Sequence, residues 1–403
     1  MQGVVVIFFI LSFASFCSCN RRLECYQSKT IFNVMDYGAI GDGLTDDSEA
    51  FLKAWGEACS TSDGNGTLEV PPEKTFLLKP INFTGPCQCS SVHFKLEGNI
   101  VAPNSTDAWE GLSRLKWIQF MNIDGLVFNG GGQIDGQGSV WWKSCYVRDC
   151  YLFIALKFIK CNNLQLSDTR HINSAKGHII INHCNHTTIF NLTITAPENS
   201  PNTDGFDIRD SNYITLTNTT IGTGDDCIAI NGGTSNITIT NMTCGPGHGI
   251  SIGSLGKNGA YETVENVYVG HSNINGTTNG LRIKTWEGGR GYVRNVTYEH
   301  INITRTKNPI IINQKYKDII TNEDQDQGPG IEITGVTYNE VHGTSNTKVA
   351  INLGCSQSKG CNEMLMDTVN LTAVDSLKTK TISICENAKG KAKSVSPEVQ
   401  CLA

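Results

Sequence analysis

One feature constrains this chain more than any other: short alternating apolar runs come back at a nearly constant interval. Branched apolar residues that open such runs stand at Leu164, Ile189, Ile214, Ile237, Val267 and Val296, giving steps of 25, 25, 23, 30 and 29 residues. Several follow Asn or Thr, as in Asn163-Leu164, Thr188-Ile189, Asn236-Ile237, Asn266-Val267 and Asn295-Val296. A repeat of this length signals a solenoid. One strand-like run per repeat, without a helix-length apolar face, selects a β-solenoid over a helical one. The expected fold is all-β, a parallel β-helix.

Four polar clusters fall on the same interval. They are Asn202-Thr203-Asp204-Gly205, Gly224-Asp225-Asp226-Cys227, Gly247-His248-Gly249 and Arg282-Ile283-Lys284. Asp204 to Asp226 is 22 residues, and Asp226 to His248 is another 22. Successive coils lie about 4.8 Å apart, so Asp204, Asp225, Asp226 and His248 are expected on three neighbouring coils, with Arg282 and Lys284 on the next. Adjacent strand residues point to opposite faces. Asp225 and Asp226 therefore share a cleft only where the backbone turns, and Gly222 and Gly224 supply the flexibility for that turn.

Crowded carboxylates cannot all ionise freely, so one is pushed up and can hold a proton as general acid, while the others activate water. Glycoside hydrolysis needs this division of labour, and a carboxyl separation of about 6.5 to 9.5 Å leaves room for a water and gives inversion. His248 can help to set the protonation of the acid. Arg282 and Lys284 are i, i+2 on a strand, hence on one face, and suit the carboxylate of a uronic acid.

Taken singly these residues are ordinary. Asp beside Gly is usually a turn residue, Arg-x-Lys a solvated strand face, and a lone His such as His93 or His171 a structural one. Asp46-Asp47 reads as a helix start. The regular spacing of the clusters is what raises the functional reading above the bland one.

The remaining features set the context. Gly3 to Phe16 is apolar and uncharged and ends in small residues before Asn20-Arg21-Arg22, which reads as a secretory signal over 1–19; a membrane anchor is the alternative reading. Removing Cys17 and Cys19 with it leaves 14 of the 16 cysteines, an even number, which in an exported protein favours disulfides over metal sites. The tightest candidates are Cys355 with Cys361 and Cys385 with Cys401, and Cys227 with Cys244 would tie two of the clustered coils together. Twelve Asn-x-Ser/Thr sequons are present. Those at Asn191, Asn236 and Asn241 fall inside strand-like runs, so a minority of the twelve is expected to be modified. With 41 Gly and only 17% charged residues, and no linker between segments, 20–403 reads as a single solenoid domain, with a short helix over Thr45 to Cys59 capping its open end. A net charge of −6 argues against nucleic acid as partner.

The four clusters resemble, in combination, the signature motifs of the polygalacturonases of glycoside hydrolase family 28. The resemblance extends through Ser200-Pro201, the run Cys244 to Gly256, Asn308-Pro309-Ile310 and, upstream, Asn33 to Asp47 and Gly130 to Trp142, and so covers nearly the whole mature chain. It implies a right-handed, pectin-lyase-like β-helix and inverting hydrolysis of α-1,4-galacturonan, with no metal and no cofactor. By motif, Asp225 would be the proton donor, Asp204 and Asp226 would position and deprotonate the water, and His248 would assist the acid. Arg282 and Lys284 would bind substrate carboxylate, with Asn202 and Tyr316 as further contacts. The implied setting is a secreted, cell-wall monomer whose partner is pectin, with no membrane. The segments Phe51 to Cys59 and Gly343 to Cys361 resemble the pollen-type exopolygalacturonases of plants. Departures from the plant pattern are Asn313 for Asp, Lys317 for a cysteine whose usual partner is also missing, and Cys150 to Phe153 without a proline. They bear on the loop around Tyr316 and on mode of attack. The alternatives are an endo-acting enzyme, a hydrolase of decorated pectin such as rhamnogalacturonan, and a non-catalytic wall-binding or allergen-type β-helix.

Overall fold

Turn by turn, the chain lays each strand in parallel register on the strand of the turn before. The computed structural model describes residues 30–62, 64–142, 153–317, 328–375 and 379–402. Among them the strands form one sheet of 21 and one of 11. The smaller sheet runs through Ile154–Ile159, Ile179–Asn182, Phe206–Arg209, Ile228–Ile230, Ile250–Leu255, Asn279–Trp286 and Asn308–Tyr316, each paired in parallel with the next. The larger sheet is built from two ladders that merge in the long strand Tyr261–Asn275, which pairs with both Thr234–Thr240 and Thr243–Cys244. Three strand-bearing faces thus enclose one core, and the molecule is a parallel β-helix. The proposed leader, Cys25, Cys145, Cys150 and Asn322 to Gln327 lie outside the described residues.

The inward positions stack like on like. Ile189, Leu216, Ile239, Val269, Tyr298 and Tyr338 are successive register partners and are fully buried. Here the repeat read from the sequence needs a correction. Ile189 pairs with Leu166 and Leu216, and Ile214 pairs with Thr187, so the first two steps are 23 and 27 residues instead of 25 and 25. A slip of two residues keeps every side chain on its face, which is why the alternation could not detect it.

At one corner of the coil, Asn163, His186, Tyr213, Asn236, Asn266 and Asn295 all adopt left-handed backbone, with φ between 52° and 58°. A side chain other than glycine pays about 1 to 2 kcal/mol there, least for Asn. The cost is offset along the column: the Asn266 amide donates to Asn236 at 3.0 Å and that of Asn295 to Asn266 at 3.1 Å, while the rings of His186 and Tyr213 stack at 4.9 Å.

The expected capping helix forms as Ser48–Ser60 and buries Ala50, Phe51, Ala54, Trp55, Ala58 and Cys59. Phe51 packs edge-on to Phe76, and Trp55 to Phe83 and Phe120, so the helix closes the first coils with aromatic side chains that each contribute about 1.5 to 3 kcal/mol by burial. Asp47 does not cap the helix; its carboxylate accepts from the N–H groups of Ile40 and Gly41. No helix among the described residues is long and apolar enough to cross a membrane.

Three disulfides join the pairs expected from the sequence, Cys227–Cys244, Cys355–Cys361 and Cys385–Cys401, and a fourth, Cys59–Cys87, ties the helix to the coil. The even count did not translate into full pairing among the described residues: Cys89, Cys161 and Cys184 are buried thiols. Cys161 and Cys184 occupy successive turns, where the Cys161 N–H donates to the Cys184 sulfur at 3.3 Å.

Candidate active site

The clustered residues come together because the turns that carry them are equal in length. Phe206, Ile228, Ile250, Leu281 and Ile310 are consecutive register partners. Asp204, Asp226, His248, Asn279 and Asn308 each stand two residues before one of them, and so form a row at the entrance of the smaller sheet. Asp225 joins that row because the chain bends between Thr220–Gly222 and Ile228–Ile230. The carboxylates of Asp225 and Asp226 and the imidazole of His248 each place a donor atom within 4.8 Å of the others.

Glycine permits the bend for a different reason from the one expected. Gly224 has no left-handed φ; a Cβ there would sit 1.9 Å from the carbonyl oxygen of Ser200. That approach lets the Gly224 N–H donate to Thr203 Oγ1 at 3.0 Å, and Thr203 Oγ1 is itself 2.6 Å from Ser200 Oγ. The first and second clusters are thereby bolted together.

Two sets of contacts divide the site. His248 donates from Nδ1 to Asp225 Oδ1 at 2.8 Å, and the backbone N–H groups of Asp226 and His248 bind the Asp225 carboxylate and carbonyl, both at 2.8 Å. Asp226, only 1% exposed, accepts from Ser251 Oγ at 2.9 Å and Arg282 Nη2 at 2.5 Å on Oδ1, and from Lys284 Nζ at 2.9 Å on Oδ2. Both cations expected to face a substrate carboxylate thus rest on a carboxylate of the protein. Arg282 also donates from Nε to Ser251 at 2.8 Å. Asn202 is exposed, at the turn before Thr203. The Tyr316 ring lies 5.4 Å below Lys284 Nζ and edge-on to Trp286. All eight residues singled out from the sequence therefore lie on the turns that build this cleft.

The sequence reading missed Asp207 and Ser251. They lie in one outward column, Asp207, Ala229, Ser251 and Arg282, and the signal was available: each sits between two inward apolar residues on a strand entering the cleft. His178 was missed too. It is buried and holds the Asp204 carbonyl oxygen from Nδ1 at 3.1 Å, while accepting the Ser174 N–H on Nε2; burial lowers it to about 4, so it serves as a neutral support. His171, read as structural, is buried beside Thr169.

The carboxyls do not behave alike. Burial, reinforced by Asp207, Asp225 and Asp226, holds Asp204 well above the ordinary carboxylate range, against the opposing pull of Lys284. Burial and the charge of Asp226 push Asp207 up to about 6. Burial works upward on Asp225 as well, but the hydrogen bond and charge of His248, with help from Lys284, bring it below the ordinary value. In the substrate-free cleft the raised carboxyl is therefore Asp204, while the motif assigns the proton donor to Asp225.

These shifts set the sign of the pH dependence of stability. A carboxyl raised in the folded state binds a proton that the unfolded chain has released, so its stabilisation is present below the unfolded value and is lost as pH rises to the folded one. For Asp207 that window runs from 3.8 to about 6. Asp225 acts with the opposite sign, and only below 3.8. The melting temperature is expected to fall between pH 4 and pH 6.5, by an amount equivalent to about 1 kcal/mol from Asp207. Asp207→Asn should flatten that slope in calorimetry; an unchanged slope would remove Asp207 from the account.

The donor set Asp225, Asp226 and His248 also has the spacing of a metal site. Its chemistry suits a cation poorly, because Asp226 already neutralises two side-chain cations and His248 Nδ1 is spent on Asp225.

Comparison with known proteins places this geometry. The model of the glycosyl hydrolases family 28 matches residues 59–396. A probable polygalacturonase of Arabidopsis thaliana is 43% identical over 382 residues, 94% of this chain and 82% of its own length. A polygalacturonase of Persea americana is 43% identical over 347 residues, covering 85% of this chain and 74% of its own length. Among solved structures, the endo-xylogalacturonan hydrolase of Aspergillus tubingensis superposes with a TM-score of 0.77 at 26% identity, over 89% of this chain and 96% of that one.

Proposed function

The chain belongs to glycosyl hydrolases family 28, and from that membership we propose that it is a secreted polygalacturonase that hydrolyses α-1,4-galacturonosyl linkages of cell-wall polygalacturonan. The observation that carries the reading is the juxtaposition of three carboxylates and His248 with Arg282 and Lys284 in one cleft. Acids and bases without those cations would suit a neutral glycan; the cations suit a uronate.

In the proposed reaction, Asp225 gives a proton to the leaving glycosidic oxygen while water attacks the anomeric carbon from the opposite face and yields its proton to Asp204 or Asp226, with inversion. Asn202 and Tyr316 are further substrate contacts. The proton on Asp225 comes through the pair it forms with His248, in which one proton lies between Nδ1 and Oδ1. A substrate carboxylate arriving at Arg282 and Lys284 shares cations that otherwise belong to Asp226, and so loosens two of the contacts that hold this carboxylate. Substrate binding in this way frees an acceptor for the attacking water at the moment it is needed.

Attack from the chain end is the finer part of the proposal, and rests on the likeness of Phe51 to Cys59 and Gly343 to Cys361 to exo-acting plant enzymes. Incubation of the secreted protein with polygalacturonate, following reducing ends, viscosity and product length, tests both parts. Early monogalacturonate with slow loss of viscosity is the expected result. A rapid fall in viscosity with mixed oligomers would keep the chemistry and overturn the mode. No products, where a known polygalacturonase works, would turn the reading toward a decorated galacturonan.

A further inference from the structure

Beyond the Arg282 and Lys284 pair, the cleft has a second place where a cation stands over an aromatic ring. Lys257, in the short loop that follows the strand Ile250–Leu255, is exposed and holds its Nζ 5.0 Å from the centre of the Trp286 ring. It has no ion-pair partner among the described residues. Trp286 is the last residue of Asn279–Trp286 and the register partner of Tyr316, and the two rings meet edge to face at 5.5 Å. The indole N–H of Trp286 makes no hydrogen bond; the ring is held by its neighbours alone.

Lys257, Trp286 and Tyr316 therefore come from three successive turns and form a row beside the column that carries Arg282 and Lys284. Turns advance by about 4.8 Å, comparable to the length of one pyranose in a polysaccharide. The row thus offers, one sugar further along, what a uronate needs: an aromatic surface for the C–H face of the ring and an unpaired cation for its carboxylate.

We infer that Lys257 and Trp286, with Tyr316, form a second uronate subsite on the wall of the cleft, adjoining the one at Arg282 and Lys284. Lys257 binds the carboxylate of a galacturonate that does not take part in bond cleavage, and Trp286 supports the same sugar. The inference rests on the polygalacturonase reading for its ligand, so its test must be able to fail separately.

The test uses the full secreted protein as wild type, Lys257→Met and Lys257→Arg, with di-, tri- and tetragalacturonate as substrates. The wild type is expected to gain in kcat/KM as the substrate lengthens. In Lys257→Met that gain should shrink about tenfold, the loss of one charged contact, through KM and not kcat, and Lys257→Arg should restore most of it. A chain-length profile parallel to that of the wild type would overturn the subsite. Should the wild type hydrolyse none of these, the functional reading fails, and calorimetric titration with trigalacturonate decides the subsite: binding about tenfold weaker in Lys257→Met supports it, while equal binding, or none to the wild type, overturns it. Intrinsic fluorescence gives a further check, because a sugar on Trp286 should perturb its emission in the wild type and not in Trp286→Phe.

Discussion

Asp225→Asn is expected to lower kcat on polygalacturonate by about a thousandfold, within the range that a positioned general acid supplies, while leaving the fold intact. The amide keeps an oxygen for His248 Nδ1 and for the Asp226 N–H, the two contacts made by Asp225 Oδ1. What it loses is the proton for the leaving oxygen. The ion pair with His248 is partly exposed, 37% for the imidazole and 21% for the carboxylate, so its loss should cost no more than about 1 kcal/mol. Initial rates and calorimetry on the same preparation separate the two effects. Asp204→Asn belongs in the same experiment, because Asp204 is the carboxyl raised in the free protein. If Asp225→Asn keeps activity within tenfold and Asp204→Asn does not, the acid is Asp204.

Asp226→Asn is expected to be the more damaging change, with activity and stability lost together. Its two carboxylate oxygens receive three donors, two of them cationic. An amide can offer an oxygen to Arg282 and Ser251, but must then turn its NH₂ toward the Lys284 ammonium, donor against donor. Removing one partner from a buried ion pair costs about 3 to 5 kcal/mol, chiefly because the other charges remain buried without compensation. Arg282 and Lys284 are only 13% and 11% exposed, so solvent cannot replace the carboxylate. The double variant Asp226→Asn with Lys284→Met should recover part of the lost stability while remaining inactive. Equal melting temperatures for Asp226→Asn and wild type would show that the triad carries no net stability.

The class of fold was legible in the sequence because a solenoid writes its architecture as a period. The site was legible for the same reason: Asp204, Asp226 and His248 are equally spaced, so linear distance stood in for spatial distance. Where turn length changes, that substitution fails. The contacts of Arg282 and Lys284 with Asp226 span 56 and 58 residues, and no spacing rule reaches across turns of unequal length. Asp207 escaped because it stands alone between Phe206 and Ile208 and joins the others only through register. The buried thiols Cys161 and Cys184 escaped because counting cysteines says nothing of which ones stack side by side in the core.

The corner column of asparagines bears on the order of events in the life of the chain. Asn236 and Asn295 are both sequons and both rungs: each side-chain nitrogen is bound to an oxygen of the preceding turn, and Asn191 is bound in the same way to Asp168. An oligosaccharide is attached through that same nitrogen. At these positions, then, glycosylation and coil assembly compete for one atom, and the outcome is a race between the transferase and the arrival of the next turn. Asn65, Asn104 and Asn275, which have no place in a ladder, face no such deadline. The glycan pattern of the mature protein would be, in effect, a record of which coils closed first.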